Sequence, residues 1–312
     1  MSARAGVLLM TYGAPSGDAD LPDYLSRVRG GNVPSAELVA EFRRRYAAIG
    51  GSPLVRITEA QAGALEALLG SGFVVRAGMR FSPPFVADRV FELADSGIER
   101  LVAICLSPQW SDRLMGGYVR AVEEGIARVR RALPFAVARA WHREPAFAAA
   151  LAERIIEART RLADDDAPAI VFTAHSLPRR VFDAEPGYVE DLRETAALVA
   201  ARAGLAHWEW AYQSAGHTQE EWLRPDLKEL FPGLAAAGHR RVLVVPVQFL
   251  ADHLEVLYDL DVAAAAEARA AGLEFHRIEM PNTHGTFIRA LAAVAERELA
   301  ATAMARSDAA RK

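Results

Sequence analysis

Two stretches of the chain carry side chains that can move protons or hold cations. The first is IVFTAHSLP, residues 170–178. An apolar run, Ile170-Val171-Phe172, leads to His175, and Ser176 and Pro178 follow. A neutral imidazole near pH 7 can take a proton or ligate a metal ion. A lone histidine at a strand end is more often structural than catalytic, so its meaning depends on an acid that joins it. The second stretch, ADHLEVLYDLD at 251–261, supplies one. Read as a helix, it puts Glu255 and Asp259 at i,i+4 on one face. A solvated helix face would also explain two acids. The interleaved Leu254, Val256, Leu257 and Tyr258 instead predict a turn that is largely buried, where stacked carboxylates suit proton or cation traffic.

These groups need elements that end where they stand. Short apolar runs alternate with amphipathic stretches. The predicted strands are 6–10, 73–81, 100–106, 134–141, 169–174, 207–214, 240–250 and 273–280. Gly97, Gly204, Gly238 and Gly272 follow the helical patterns and suit left-handed C-terminal caps. Such alternation predicts the α/β class: two similar doubly wound domains, each a four-stranded parallel sheet flanked by helices. The break falls near the helical stretch EPAFAAALAERIIEARTRLA and the run Asp164-Asp165-Asp166, giving domains 1–145 and 146–312. A last amphipathic stretch, 284–302, is a candidate to pack back on the first domain. Ligands of open α/β sheets gather beyond the carboxyl ends of strands, so a cleft between the domains is expected. Thr11-Tyr12-Gly13, Ser107-Pro108-Gln109-Trp110-Ser111 and Gln213-Ser214 also stand at predicted strand ends, a polar and aromatic rim suited to a flat aromatic ligand.

Composition narrows the field. The chain has 312 residues, 52% apolar and 24% charged, which suits two soluble domains. A net charge of −4 gives no footprint for nucleic acid or an anionic membrane. The arginine runs at 43–45 and 130–131 read as helix faces. The single cysteine, Cys105, lies in an apolar run; it reads as a buried thiol and leaves too few thiolates for an iron–sulfur cluster. The apolar start is too short for a signal peptide and no stretch is long enough to span a bilayer, so the expected location is the cytoplasm. No GxGxxG after a strand, no GxxxxGK[ST], no GxSxG around Ser176 and no HExxH is present.

Several motifs together resemble the ferrochelatases, which insert Fe(II) into a porphyrin. They are LLMTYGAP near the start, RRRYAAIGGSPL at 43–54, SPQWS at 107–111, TAHSLP at 173–178, YQS at 212–214 and VPVQFLADHLEVLYDLD at 245–261. The resemblance spans nearly the whole chain and implies the two-domain chelatase fold. It also implies that His175 and Glu255 are the catalytic, metal-handling pair, with Asp259 on a secondary proton or metal path. Metal insertion must strip two N–H protons from the macrocycle, and a carboxylate beside an imidazole balances the charge of iron or of imidazolium. The division of metal binding and proton removal between the two stays open at this stage. By the same resemblance Tyr12 faces the porphyrin, and Arg29, Arg45, Tyr46, Ser52 and Tyr118 line it or hold its propionates.

A tyrosine at position 12 is similar to the Gram-positive-type branch, which uses coproporphyrin III. The expected substrates are therefore coproporphyrin III and ferrous iron, with no permanently bound cofactor, no iron–sulfur cluster, no nucleic acid, no membrane insertion and a monomeric state. Protoporphyrin IX or another divalent metal is the first alternative. A non-catalytic porphyrin- or haem-binding protein and an unrelated two-domain binder are the others. The chain departs from the family in four places. Gly30 follows Arg29 where a second basic residue is common, and the GGSPL stretch is short. Ala263 replaces a third acid, and AGHTQEEWLRPDL, with His217, follows YQS. The remaining histidines, 142, 207, 239, 276 and 284, read as surface or capping residues.

Overall fold

The structure, a computed structural model, describes residues 4–162, 167–216 and 220–309. The Asp164–Asp166 run and His217 lie outside the described residues. The chain divides into two compact units, residues 1–144 with 282–312, and residues 145–281.

In the first unit β1 (Ala5–Thr11) is followed by α1 (Leu21–Val28), α2 (Ala36–Ala48) and α3 (Leu54–Leu69). Next come β2 (Phe73–Met79), α4 (Val86–Asp95), β3 (Arg100–Cys105), α5 (Asp112–Ala127) and β4 (Phe135–Ala138). The second unit opens with α6 (Pro145–Arg161) and β5 (Ala169–His175), then α7 (Arg179–Ala184), α8 (Pro186–Arg202), β6 (Glu209–Gln213), α9 (Leu227–Ala236) and β7 (Arg241–Pro246). It closes with α10 (Leu254–Leu257), a π-helical turn (Asp259–Ala264), α11 (Ala265–Ala270) and β8 (Glu274–Arg277). The chain then returns to the first unit as α12 (Gly285–Ala309), which packs on α3, β3 and β4.

Both sheets are four-stranded and parallel, and they share one topology: β2-β1-β3-β4 and β6-β5-β7-β8. The central strands are covered on both faces, which is why their sequences are continuous apolar runs rather than alternating ones. Val7, Leu8, Leu9 and Met10 of β1 are buried, as are Val171 and Phe172 of β5. In the second unit Val171, Val242 and Val244 pack with Phe231 of α9 and Leu260 of the π-helical turn. Full burial of one such side chain contributes roughly 1.5–3 kcal/mol. Cys105 is buried at the end of β3; burial pushes its thiol up to about 12, against the smaller opposing effects of the Ser107 backbone and Arg80. At neutral pH it is an inert thiol.

The four glycines expected as helix stops have φ of 84°, 65°, 92° and 84°, the left-handed conformation that closes a helix. Two expectations need correction. The run 240–250 is a strand only as far as Pro246, because beyond Val247, whose N–H donates to the Thr173 carbonyl (2.9 Å), a side chain takes over the pairing, as described below. His142 is not a surface residue: it is buried after β4, and its backbone N–H donates to the Pro108 carbonyl.

Candidate active site

β5 and β1 occupy the same place in their sheets. Each is the strand from which the chain turns to neighbours on both sides, the position beyond which open α/β sheets bind ligands. His175 is the last residue of β5 and pairs with Gln213 of β6. Its N–H donates to the Gln248 side-chain oxygen at 3.0 Å, and Gln248 in turn donates to the Tyr188 hydroxyl at 2.8 Å. The β5 ladder thus ends on a side chain rather than on another strand. The imidazole Nδ1 lies 2.5 Å from the Ser176 carbonyl. A carbonyl only accepts, so Nδ1 carries a proton and Nε2 is the nitrogen left to face other groups.

That Nε2 lies 3.9 Å from a Glu255 carboxylate oxygen. The same oxygen lies 3.7 Å from Nε2 of His253, whose Nδ1 is held by the Ala251 carbonyl at 2.9 Å. Two imidazoles, each fixed through Nδ1 by a backbone carbonyl, therefore turn their Nε2 atoms toward one carboxylate. Both separations exceed a hydrogen bond. The arrangement is favourable when a proton sits on an imidazole or a cation joins the donors. Burial opposes ionisation of Glu255, but the charges of His175 and His253 overcome it and hold the carboxyl at about 2. Burial likewise opposes protonation of His253, but Glu255, the Ala251 carbonyl and Asp259 overcome it and raise its pKa. The Glu255 backbone is fixed by a strand-end glutamine: Gln213 donates to its carbonyl at 3.2 Å and accepts from the Thr173 hydroxyl at 2.7 Å.

Asp259 does not share a continuous α-helical face with Glu255. α10 ends at Leu257, and Asp259 opens the π-helical turn, in which the Ala263 N–H donates five residues back to the Tyr258 carbonyl. The wider turn shifts the register that i,i+4 spacing assumes. Even so, Asp259 lies near enough for its charge to act on His253.

The first unit presents a different set. Tyr12 follows β1 and is 41% exposed, with its ring edge-on to Phe81 at 4.6 Å. Gly13 makes the turn behind it possible: φ is +94°, and a Cβ there would lie 2.4 Å from the Ser82 hydroxyl. Arg29 ends α1, and its exposed guanidinium has no partner among the described residues. Arg45 is committed to Glu41 at 2.7 Å and lies over the Phe42 ring. Tyr46 packs beside Leu21, Tyr24 and Leu25. The Ser52 hydroxyl accepts from the Leu54 N–H at 3.4 Å at the start of α3. Tyr118 is buried under the Arg80 guanidinium, and burial raises its phenol well above the usual range.

Comparison with known proteins decides the family. The ferrochelatase family model matches residues 4–299. A ferrochelatase of Deinococcus radiodurans is 38% identical over 306 residues, covering 96% of this chain and 97% of that protein. A coproporphyrin III ferrochelatase of Geobacillus sp. is 36% identical, covering 93% and 96%. The chain belongs to the ferrochelatase family. A solved structure of SirB from Bacillus subtilis shares the fold, with a TM-score of 0.59 at 11% identity and 95% of each chain covered.

As a ferrochelatase the protein is a lyase whose substrates are a porphyrin and ferrous iron. His253 and Gln248 are residues of the Glu255 cluster to which sequence reasoning gave no role, and Gln213 was placed only on the strand-end rim. His253 carried one signal: it lies two residues before Glu255, on the turn that enters the same helix. The glutamines stood inside the YQS and VPVQFL motifs, but only the structure shows that the Gln248 side chain takes the place of backbone pairing at the end of β5 and that the Gln213 side chain holds the Glu255 carbonyl. Among the described residues no helix is long and apolar enough to cross a membrane.

Proposed function

We propose that this ferrochelatase inserts Fe(II) into coproporphyrin III and releases two protons, with His175 and Glu255 carrying the metal-insertion chemistry. The observation that carries the reading is the Glu255 carboxylate facing the Nε2 atoms of His175 and His253 at 3.9 and 3.7 Å. A carboxylate that stays ionised beside an imidazole with a free lone pair offers a place for Fe²⁺ or for a pyrrole proton. Either positive charge is balanced by Glu255. Asp259 and His253 extend the charged path behind it.

On the porphyrin side the reading uses Tyr12, Arg29, Arg45, Tyr46, Ser52 and Tyr118. Arg29 is the uncommitted cation of this group and the natural carboxylate contact. Four propionates make coproporphyrin III strongly anionic, and relatives from Geobacillus sp. and Halalkalibacterium halodurans, 36% and 34% identical, are coproporphyrin III ferrochelatases. Relatives from Deinococcus radiodurans and Herpetosiphon aurantiacus carry the general name. The same reading makes the enzyme a cytoplasmic monomer without a resident cofactor or iron–sulfur cluster.

The test is anaerobic mixing of the protein with Fe(II) and either coproporphyrin III or protoporphyrin IX, followed by absorption. Faster metalation of coproporphyrin III is expected. Faster turnover of protoporphyrin IX would overturn the substrate, and metalation of neither would overturn the activity.

A further inference from the structure

The segment that carries Glu255 is not a regular helix. It is one short turn, α10, followed by a π-helical turn that runs straight into α11, so the helical register changes just after Glu255. Contacts from outside the segment hold that irregular path. On one side the contact is Gln213, which comes from the outer strand β6 and holds the Glu255 carbonyl. On the opposite side of the sheet stands Arg277, the last residue of the other outer strand, β8, opposite Val244 of β7.

The Arg277 guanidinium makes four contacts. Nε and Nη2 reach the two carboxylate oxygens of Asp261 at 2.6 and 2.8 Å, a paired fork. Nη2 also reaches Asp252 at 3.2 Å, and Nη1 donates to the Ile278 carbonyl at 2.9 Å. Asp252 precedes Glu255 by three residues, and Asp261 follows it inside the π-helical turn. The guanidinium therefore joins the chain on both sides of the carboxylate. Its side chain is only 15% exposed, whereas those of Asp252 and Asp261 are 23% and 36% exposed, so the pairing is partly screened by water and salt.

We propose that Arg277 is a positioning residue for metal insertion: it clasps Asp252 and Asp261 across α10 and the π-helical turn and so fixes the Glu255 carboxylate against His175. The proposal rests on the reading of Glu255 as part of the insertion site. Arg277 does not touch that carboxylate; it acts through the backbone that presents it. Lysine cannot replace it, because one ammonium cannot give the fork that grips Asp261 while reaching Asp252.

The experiment compares wild type with Arg277→Met, Arg277→Lys and Asp252→Asn. It reads Fe(II) insertion into coproporphyrin III, porphyrin binding by fluorescence titration, and hydrogen exchange of the amides of 254–264. Arg277→Met should lower kcat by about 100-fold, the scale of an ångström-sized misplacement, with porphyrin affinity within about twofold. Arg277→Lys should fall between it and wild type. Asp252→Asn, which leaves the Asp261 fork in place, should cost about tenfold in kcat and keeps the test alive if Arg277→Met does not fold. Amide exchange in 254–264 should rise in the same order.

Unchanged kcat and unchanged exchange in Arg277→Lys and Asp252→Asn would overturn the clasp. So would a loss of kcat matched by an equal loss of porphyrin-binding sites, since that reads unfolded protein. If wild type itself inserts no iron, the functional reading falls, and with it the assigned role in insertion; the exchange data then report separately whether the clasp holds the turn.

Discussion

The ends of β1 and β5 occupy one topological position in two sheets of the same strand order, yet they present opposite chemistry. Beyond β5 the imidazoles of His175 and His253 face Glu255, whose carboxyl is held low while the pKa of His253 is raised, and backbone carbonyls hold both Nδ1 atoms. Beyond β1 stand the exposed Tyr12 phenol and its ring partner Phe81, and Arg29 follows at the end of α1. In the proposed function, the same fold position serves transfer in one unit and holding in the other. The difference lies in what the neighbouring strands contribute. β6 and the chain after β7 send Gln213 and Gln248 to tie down the end of β5, whereas the turn after β1 is shaped by Gly13 packed against Ser82.

The comparison is most exposed to substitutions at the β5 end. His175→Ala should reduce iron insertion by about 1,000-fold or more, the scale of a lost acid–base group, while porphyrin still binds. Anaerobic stopped-flow absorption with a binding titration checks both halves. Near-normal turnover would remove the imidazole from the chemistry. Glu255→Gln keeps the shape and removes the charge, and a loss of about 100-fold in kcat is expected with the porphyrin KM little changed.

At the β1 end the signature should reverse. Arg29→Ala should raise the porphyrin KM by about tenfold, the cost of one charge-assisted contact, and leave kcat within a few-fold. A loss confined to kcat would erase the division of labour between the two ends.

The smallest effect is a pH dependence of stability. Glu255 has its folded pKa depressed from 4.5 to about 2, so its contribution is present above 4.5 and is lost as the pH falls toward 2. His253 has its folded pKa raised above 6.5, so its contribution is full below 6.5 and is lost as the pH rises through the raised value. The pair should stabilise most between 4.5 and 6.5. The melting-temperature difference between wild type and His253→Gln should peak in that window; a flat difference across pH would mean that His253 acts by packing alone.

Much of this was legible in the residues. Continuous apolar runs announce buried parallel strands because both faces are covered, and helix-stopping glycines mark where each helix must end. His175 at the close of IVFTAHSLP, and Glu255 in a turn rich in leucine, could be singled out from type and position. Their relation could not. The i,i+4 argument for Glu255 and Asp259 assumed α-helical rise, and the π-helical turn set that assumption aside. Arg45, which the resemblance implies lines the porphyrin and the arginine run 43–45 places on a helix face, is engaged by Glu41.

The sequence by itself determined the elements, their class and the residue types at the strand ends, because local periodicity and capping depend on neighbours along the chain. Tertiary structure alone decided that His253 turns toward the same carboxylate as His175, that Gln248 closes the end of β5 while Gln213 holds the Glu255 carbonyl, and that Arg277 reaches both Asp252 and Asp261. Each of these is a contact between residues separated in sequence or set by a turn's exact backbone path. Hydrogen bonds weaken steeply outside a narrow range of distance and angle, a precision that spacing along a chain does not carry.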